Sequence, residues 1–383
     1  MMGKKGGDSV RYLDREKLVE NLETRMQGNM DANIIGNASL WVWQDGEEVY
    51  RRHFGPDASE DSVYRLASMT KPITGVAAMK LIETGKLALT DPVDKFYPEF
   101  RKIPIVKVEN DRLVEIGKPE KIPTVMHLLT HTSGFGGEVE DVQQRQIDPQ
   151  SNATIQNAVR YFAEAGIGFE PFTNVMYSGR AAFDVLAGII ERITDMPYDV
   201  YLKENIFDPC GMMDTTFAPT KEQWERMIPM HDRVDGKACP GRTVDGCVFE
   251  NVPVTHFAGG AGLASTLEDY THFARMLLQK GEFAGNRILK PETVALMATP
   301  HVPETLMPRT KRWGLSMKVV TREDYGRLPL GCFGWSGAYG THFWVDPENK
   351  ITAIYMKNSR YDGGGDAITS AEFEEDVTKA LKG

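Results

Sequence analysis

Apolar residues recur along this chain with two periods, and their order outlines a fold. Between Asp14 and Gln27, Leu18, Leu22 and Met26 return every four residues, which predicts a helix stopped by Gly28. Ser39 to Phe54 reads as two strands around the turn Gln44-Asp45-Gly46. From Ser68 to Gly85 the spacing of Ile73, Val76, Ala77, Met79, Leu81 and Ile82 is helical again. Beyond Asp91 the chain is rich in loops, proline and charge, with helical pieces at 124–130, 155–165 and 179–194. After Gly259, Leu267, Phe273, Met276 and Leu277 mark another amphipathic helix. Apolar, aromatic runs at 313–320, 332–339, 342–345 and 351–356 predict strands. Phe373, Val377 and Leu381 share one face of a last helix, whose predicted cap is Thr369 with Glu372 three residues on. The acidic run Glu372 to Asp376 reads as a solvated face of that helix.

Helix and strands at both ends, with a helical middle between them, predict a discontinuous domain. The expected fold class is α/β in the α+β sense. Residues 1–90 and 257–383 would build an antiparallel sheet flanked by terminal helices, and residues 91–256 a second, mainly helical lobe. Large pockets favour the seam between two such lobes.

Composition narrows the partners. Of 383 residues, 41% are hydrophobic and 26% charged, enough for a large core without a disulfide or metal staple. Lys plus Arg is 44 and Asp plus Glu 54, a net charge of −10. That balance argues against nonspecific nucleic-acid binding and against docking on an anionic membrane. Cys210, Cys239, Cys247 and Cys332 are scattered, with no CxxC pair to suggest a zinc ribbon or a disulfide framework. The N-terminus has charge but no apolar run behind it, so it does not read as a secretory signal. No stretch approaches 18 apolar residues, so no transmembrane helix is expected. A cytoplasmic protein is the default expectation.

The most informative string is Tyr64-Arg-Leu-Ala-Ser68-Met-Thr-Lys71-Pro72. Ser68 and Lys71, three apart, share a face on a helix. Pro72 is tolerated only near a helix start, which places that start at about Ser68. Unpaired N–H groups and the positive end of the dipole then surround the serine. A serine hydroxyl is a weak nucleophile until a base takes its proton. An amine does this near neutral pH only where burial or a nearby cation brings its pKa from about 10.4 toward about 7–8.

The run Ser68-Met-Thr-Lys71-Pro-Ile-Thr-Gly-Val-Ala-Ala-Met resembles the serine β-lactamase and penicillin-binding-protein superfamily. So do Leu81-Ile-Glu-Thr-Gly-Lys-Leu-Ala-Leu-Thr-Asp-Pro-Val and His127-Leu-Leu-Thr-His-Thr-Ser-Gly134. Gly260-Ala-Gly-Leu-Ala-Ser-Thr-Leu-Glu-Asp-Tyr270 and Arg287-Ile-Leu-Lys-Pro-Glu-Thr-Val-Ala-Leu-Met297 fit as well. Together they are similar to the branch holding class C β-lactamases, D-stereospecific peptidases, related esterases and some small-molecule acyltransferases. The resemblance runs from about residue 14 to the end and implies a β-lactamase/transpeptidase-like fold.

The resemblance also assigns roles. Ser68 is the nucleophile and Lys71 its base. Tyr177, in Tyr177-Ser178-Gly179, takes the place of the Tyr in a Tyr-x-Asn motif and shuttles protons to the leaving group. Gly179 stands where that motif has Asn, so a hydrogen bond to a substrate amide or to the lysine is missing. Ser178 would cap the helix that follows. Trp335-Ser336-Gly337 corresponds to the third motif, a substrate-lining strand, with Gly337 allowing close backbone approach. The N–H groups of Ser68 and Ala338 would form the oxyanion hole. Trp335 replaces a cation that grips a carboxylate in β-lactamases, and an indole offers stacking area instead. That favours neutral acyl esters over penicillin-like substrates.

Three other signals are weaker. His127 and His131 have zinc-helix spacing but no Glu between them, and read better as a polar hinge under the cleft. Gly334-Trp-Ser336-Gly-Ala338 lacks the fifth glycine and the strand–turn–helix context of a nucleophile elbow. Gly259-Gly-Ala-Gly262 lacks the strand and acidic residue of a dinucleotide loop and reads as a close-packed turn between lobes. The expectation is a serine hydrolase without metal or organic cofactor, most simply a carboxylesterase of short acyl esters, acting on a small-molecule ester or amide. A β-lactamase or D-amino-acid peptidase or amidase, an acyltransferase to a small alcohol or amine, and an inactive binding protein are the alternatives.

Overall fold

The computed structural model describes residues 10–147, 154–241, 254–365 and 367–382; Cys247 and the extreme N-terminus lie outside them. Its centre is a seven-stranded antiparallel sheet. In spatial order the strands are Lys311–Trp313, Lys318–Val320, Phe333–Ser336, His342–Asp346, Ile351–Met356, Ala38–Gln44 and Glu47–Phe54. Both chain ends therefore meet in one sheet. The register pairs Ser39 with Met356 and Ser336 with His342.

The period-2 alternation divides two cores. Leu40, Val42, Ala353 and Tyr355 face the terminal helices Arg15–Asp31 and Ile368–Lys379, where Leu18, Leu22, Met26, Phe373 and Val377 are buried. Trp41, Ile354 and Met356 face the other way. They pack with Phe273, Met276 and Leu277 of the helix Leu267–Leu278 and with the helix Thr70–Glu83. That second core continues into the helical middle, through Ile155–Ala165 and Ala181–Thr194.

Several boundaries differ from the sequence reading. The first helix runs on through Gly28 to Asp31 and ends on Ala32. The expected strand 313–320 is two strands, turned at Gly314 and at Ser316, whose φ is 68°. A Cβ on Gly314 would stand 2.3 Å from the Met297 carbonyl oxygen, so the turn tolerates only glycine there. The expected strand 332–339 stops at Ser336 and turns at once, Gly337 N bonding Thr341 O (2.7 Å) and Gly340 N bonding Gly337 O (3.0 Å).

Thr369 is not the cap of the last helix. It sits inside it, and Asp362 accepts from Ile368 N (2.5 Å), Thr369 N (3.3 Å) and Thr369 Oγ1 (2.6 Å). Nor is the acidic run solvated throughout, since Glu374 and Asp376 are buried. Asp376 meets Arg25 of the first helix (2.9 Å). Glu374 is ringed by Tyr325 (2.5 Å), Arg327 (3.0 Å), His342 (3.3 Å) and Lys311 (3.7 Å). Among the described residues no helix is long and apolar enough to cross a membrane.

Candidate active site

Ser68 is delivered by a platform tied to the sheet. The short strand Val63–Arg65 pairs with Ala264–Thr266, and Leu66 N bonds Leu263 O (2.9 Å). Asn358, just past the strand Ile351–Met356, clasps Arg65 with both ends of its amide, accepting from Arg65 N (2.9 Å) and donating to Arg65 O (3.1 Å). Thr341 Oγ1 donates to Leu66 O (2.9 Å). Ala67 then takes a φ of 47°, left-handed and strained for a residue with a Cβ. That turn sets Ser68 in a 3₁₀ turn, Ala67–Met69, directly before the helix Thr70–Glu83. Pro72 lies in the first turn of that helix, where its missing N–H costs nothing.

Lys71 is fully buried. Its Nζ lies 3.3 Å from Ser68 Oγ, 2.6 Å from Gly179 O and 2.8 Å from Gly260 O. The motif asparagine absent at 179 is thus replaced, as a ligand of the lysine, by a backbone carbonyl at the same position. Each carbonyl is steadied by a buried carboxylate. Glu140 Oε1 accepts from Arg180 N (2.6 Å) and Ala181 N (3.3 Å), right after Gly179. Asp184 Oδ1 accepts from Gly260 N (3.4 Å), and its Oδ2 meets His256 Nε2 (3.1 Å). Gly259, Gly260 and Gly262 form the expected close-packed turn. A Cβ on Gly259 would fall 2.4 Å from Phe183 O and one on Gly260 2.9 Å from Gly179 O.

Tyr177 precedes the helix Ala181–Thr194, which starts two residues later than expected and has Arg180, not Ser178, at its N-cap; Ser178 Oγ, two residues before that cap, still accepts from Ala182 N (3.0 Å). Lys71 Nζ is 5.0 Å from the Tyr177 ring centre. Behind the ring stands an aromatic wall: His131 at 4.6 Å, Trp335 at 5.4 Å and Trp313 stacked at 6.1 Å. Ser178 N donates to His131 Nδ1 (3.0 Å), which leaves the imidazole proton on Nε2. Burial, then the charges of Lys71 and Lys318, hold the His131 pKa well below the ordinary value, so the ring is neutral. His127 instead closes a capping box with Thr124. The two histidines serve the backbone separately, each accepting a main-chain N–H through Nδ1.

A cavity of about 440 Å³ opens over Ser68. Ala67, Tyr177, Gly179, Ala261, Ala338 and Tyr339 line it, as do Glu140, Asp141, Gln144 and Arg180 on the helical side. Ser68, Tyr177, Gly179 and Ala338 therefore converge on one space, with Lys71 beneath it. The other motif residues do not line it. Trp335 is 7% exposed and packs 4.5 Å from Trp313, with Lys318 Nζ 5.1 Å above its ring. A cation thus returns next to the indole from the neighbouring strand. Ser336 points to the opposite face of the sheet, where its Oγ bonds His342 Nδ1 (2.8 Å). Gly337 approaches the turn that carries Ser68: a Cβ there would lie 2.2 Å from both Leu66 O and Thr341 Oγ1.

Glu140 escaped the sequence reading. Nothing in Gly136-Gly137-Glu138-Val139-Glu140 separates its second glutamate from a surface one, and the one hint is the missing asparagine that its carboxylate adjoins. Burial pushes its pKa up, against the pull of Ser178, of the Arg180 and Ala181 N–H groups and of Lys71.

An antiparallel sheet between terminal helices and a helical layer, with a buried serine–lysine pair at a helix start, is a β-lactamase/transpeptidase-like architecture. The Beta-lactamase family model matches residues 22–374, and the chain belongs to that family. Protein Rv1367c of Mycobacterium tuberculosis is 33% identical over 85% of this chain and 86% of its own length. Esterase EstB of Burkholderia gladioli is 28% identical, covering 94% and 95%. Among solved structures, EstCE1, described as a hydrolase with promiscuous acyltransferase activity, superposes with a TM-score of 0.80 at 23% identity, over 96% and 99% of the two chains. Simvastatin synthase (LovD) from Aspergillus terreus superposes at 0.75 and 20%, over 95% and 98%. The family is one of serine hydrolases with esterase and acyltransferase members.

Proposed function

We propose that the protein is a carboxylesterase of short acyl esters that works through an acyl-enzyme on Ser68. The observation that carries this reading is the 3.3 Å contact of Lys71 Nζ with Ser68 Oγ, under a cavity shared with Tyr177 and Ala338. Ser68 Oγ attacks the ester carbonyl as Lys71 takes its proton. The negative charge on the tetrahedral oxygen is met by the N–H groups of Ser68 and Ala338; losing one such donor typically raises a barrier by about 3–4 kcal/mol. The C–O bond to the alcohol then breaks. Lys71, with Tyr177, returns the proton to that oxygen. Water repeats the sequence on the acyl-Ser68 ester, releasing the acid and the free serine. On this reading the cleft lies between a discontinuous domain of residues 1–90 and 257–383 and a mainly helical lobe of residues 91–256, whose described part also carries the hairpins Ile105–Glu109/Arg112–Gly117 and His231–Val234/Lys237–Pro240.

Two observations support esters over β-lactams. Trp335 carries no charge where β-lactamases hold a cation, and Lys318 packs on the aromatic wall instead of lining the cavity. Arg180 does line it, but Gln144 Oε1 holds its guanidinium (2.9 Å). Acyl transfer is the second reading, supported by relatives named as acyltransferases, such as calJ of Penicillium decumbens at 28% identity. It needs only an alcohol in place of water.

The test is a panel of p-nitrophenyl acetate, butyrate and hexanoate beside nitrocefin. The esters turn over, nitrocefin is a poor substrate, and Ser68→Ala lowers ester kcat by at least about 10³-fold. Activity retained in Ser68→Ala would move the nucleophile elsewhere. Efficient nitrocefin hydrolysis would refute the role given to Trp335. A protein that turns over nothing would be a binding protein with a spent site.

A further inference from the structure

Two polar atoms in the wall of this cavity have nothing to bond. Glu140 is 4% exposed; its Oε1 serves the Arg180 and Ala181 N–H groups and the Ser178 hydroxyl adds its pull on the carboxylate, but no group lies in hydrogen-bond geometry to its Oε2 among the described residues. Gln144 stands one helical turn on, in the helix Gly137–Gln146. Its Oε1 accepts from Arg180 Nη1, and its Nε2 is likewise buried without a partner. Both residues line the cavity that holds Ser68. Spacing of four on a helix puts them on the same face.

The two orphans have opposite character. With Glu140 ionised, the form that Ser178, the Arg180 and Ala181 N–H groups and Lys71 favour against burial, its carboxylate oxygen only accepts, and an amide nitrogen only donates. A ligand group that meets both must donate and accept together. Charge narrows it further. Lys71 and Arg180 offset Glu140 and Asp141 around the cavity. An ammonium would satisfy Glu140 but confront the N–H groups of Gln144 and Arg180. A carboxylate would do the reverse. A hydroxyl is the smallest neutral group that gives its proton to one atom and takes one from the other.

We propose that Glu140 and Gln144 form a specificity site for a hydroxyl carried by the ester substrate, a few atoms from the carbonyl that meets Ser68. This rests on the hydrolytic reading above. It also gives a use to the missing asparagine: Gly179 leaves open the space beside Glu140, where a Cβ would already come within 3.4 Å of Oε1.

The experiment compares paired esters, each hydroxy ester against the same ester with methyl in place of hydroxyl. The hydroxyl is moved along carbons 3 to 6 of the acyl chain, and in a second set along the alcohol. Further arms carry a primary amide, an ammonium or a carboxylate at the best position. The expected result is a kcat/KM ratio of hydroxy to methyl ester of at least about 10-fold at one position. Glu140→Gln, which keeps an acceptor for the backbone and turns the second oxygen into a donor, lowers that ratio toward one, as does Gln144→Leu. A ratio taken within one enzyme is insensitive to general loss of activity. The proposal is overturned if no position shows a preference, if both variants keep it, or if the amide, ammonium or carboxylate ester is the best substrate. Flat ratios with turnover that still needs Ser68 defeat only this proposal. Turnover that survives Ser68→Ala defeats the hydrolytic reading with it.

Discussion

Lys71 is aimed by backbone. Two carbonyl oxygens, of Gly179 and Gly260, take the two N–H groups of the neutral amine and leave its lone pair toward Ser68 Oγ, as the base role requires. Small residues make this possible, because the 179–181 and 259–262 turns touch. Gly337 does the same on the sheet side, letting the Ala338 turn close against Leu66. Gly337→Ala pushes a methyl into the Leu66 carbonyl and the Thr341 hydroxyl, which cannot both move without shifting the Ser68 platform. The expected outcome is a lower Tm and a kcat reduced by about 10²-fold, the scale of a 1 Å misplacement. Thermal melts and ester kinetics check it; an unchanged kcat would show that the turn does not set the reactive geometry.

At the scale of elements, the C-terminal helix holds the strand that bears the third motif. Ser336 Oγ bonds His342 Nδ1, and His342 Nε2 faces Glu374 across 3.3 Å. Burial raises the Glu374 pKa, but His342, Lys311 and Tyr325 outweigh it and bring it down to about 2, from an ordinary 4.5. The folded state therefore binds this proton less readily than the unfolded chain. Its stabilisation is present above about pH 4.5 and is lost as the pH falls toward 2, at about 1.4 kcal/mol per pKa unit. Glu374→Gln is less stable than the native protein at pH 7, and the difference in Tm narrows between pH 5 and pH 3. A difference that stays constant across that range would remove Glu374 from the account of acid stability.

The same elements show what the sequence carries. Period and turn residues located the helices at 155–165 and 267–278 and the strands around Asp45-Gly46, because each depends on local alternation and a local turn. Glu374 and Asp376 were legible only as charge, since their burial comes from Arg25, Tyr325 and His342, far away in the chain. Ser336 was misplaced for a related reason. Its motif names three successive residues, but a strand sends alternate side chains to opposite faces. Ser68 and Lys71 were legible because their spacing is itself the geometry. Glu140 was not, because its partners are backbone groups 40 and 41 residues on.

For the whole molecule, the two chain ends close one sheet, and the middle of the chain covers it with Tyr177 and the Glu140 wall. On the proposed mechanism, chemistry at Ser68 needs that closure, since the platform takes hydrogen bonds from residues 341 and 358 while the lysine is held from 179 and 260. The central claim is a covalent intermediate, and it is read most directly by mass. Quenching the enzyme in acid during turnover of a slow ester, followed by peptide mapping, places the acyl mass on the peptide containing Ser68. An acyl group found on any other residue, or no adduct under conditions of turnover with Ser68 intact and no labelling by a fluorophosphonate, would contradict the account.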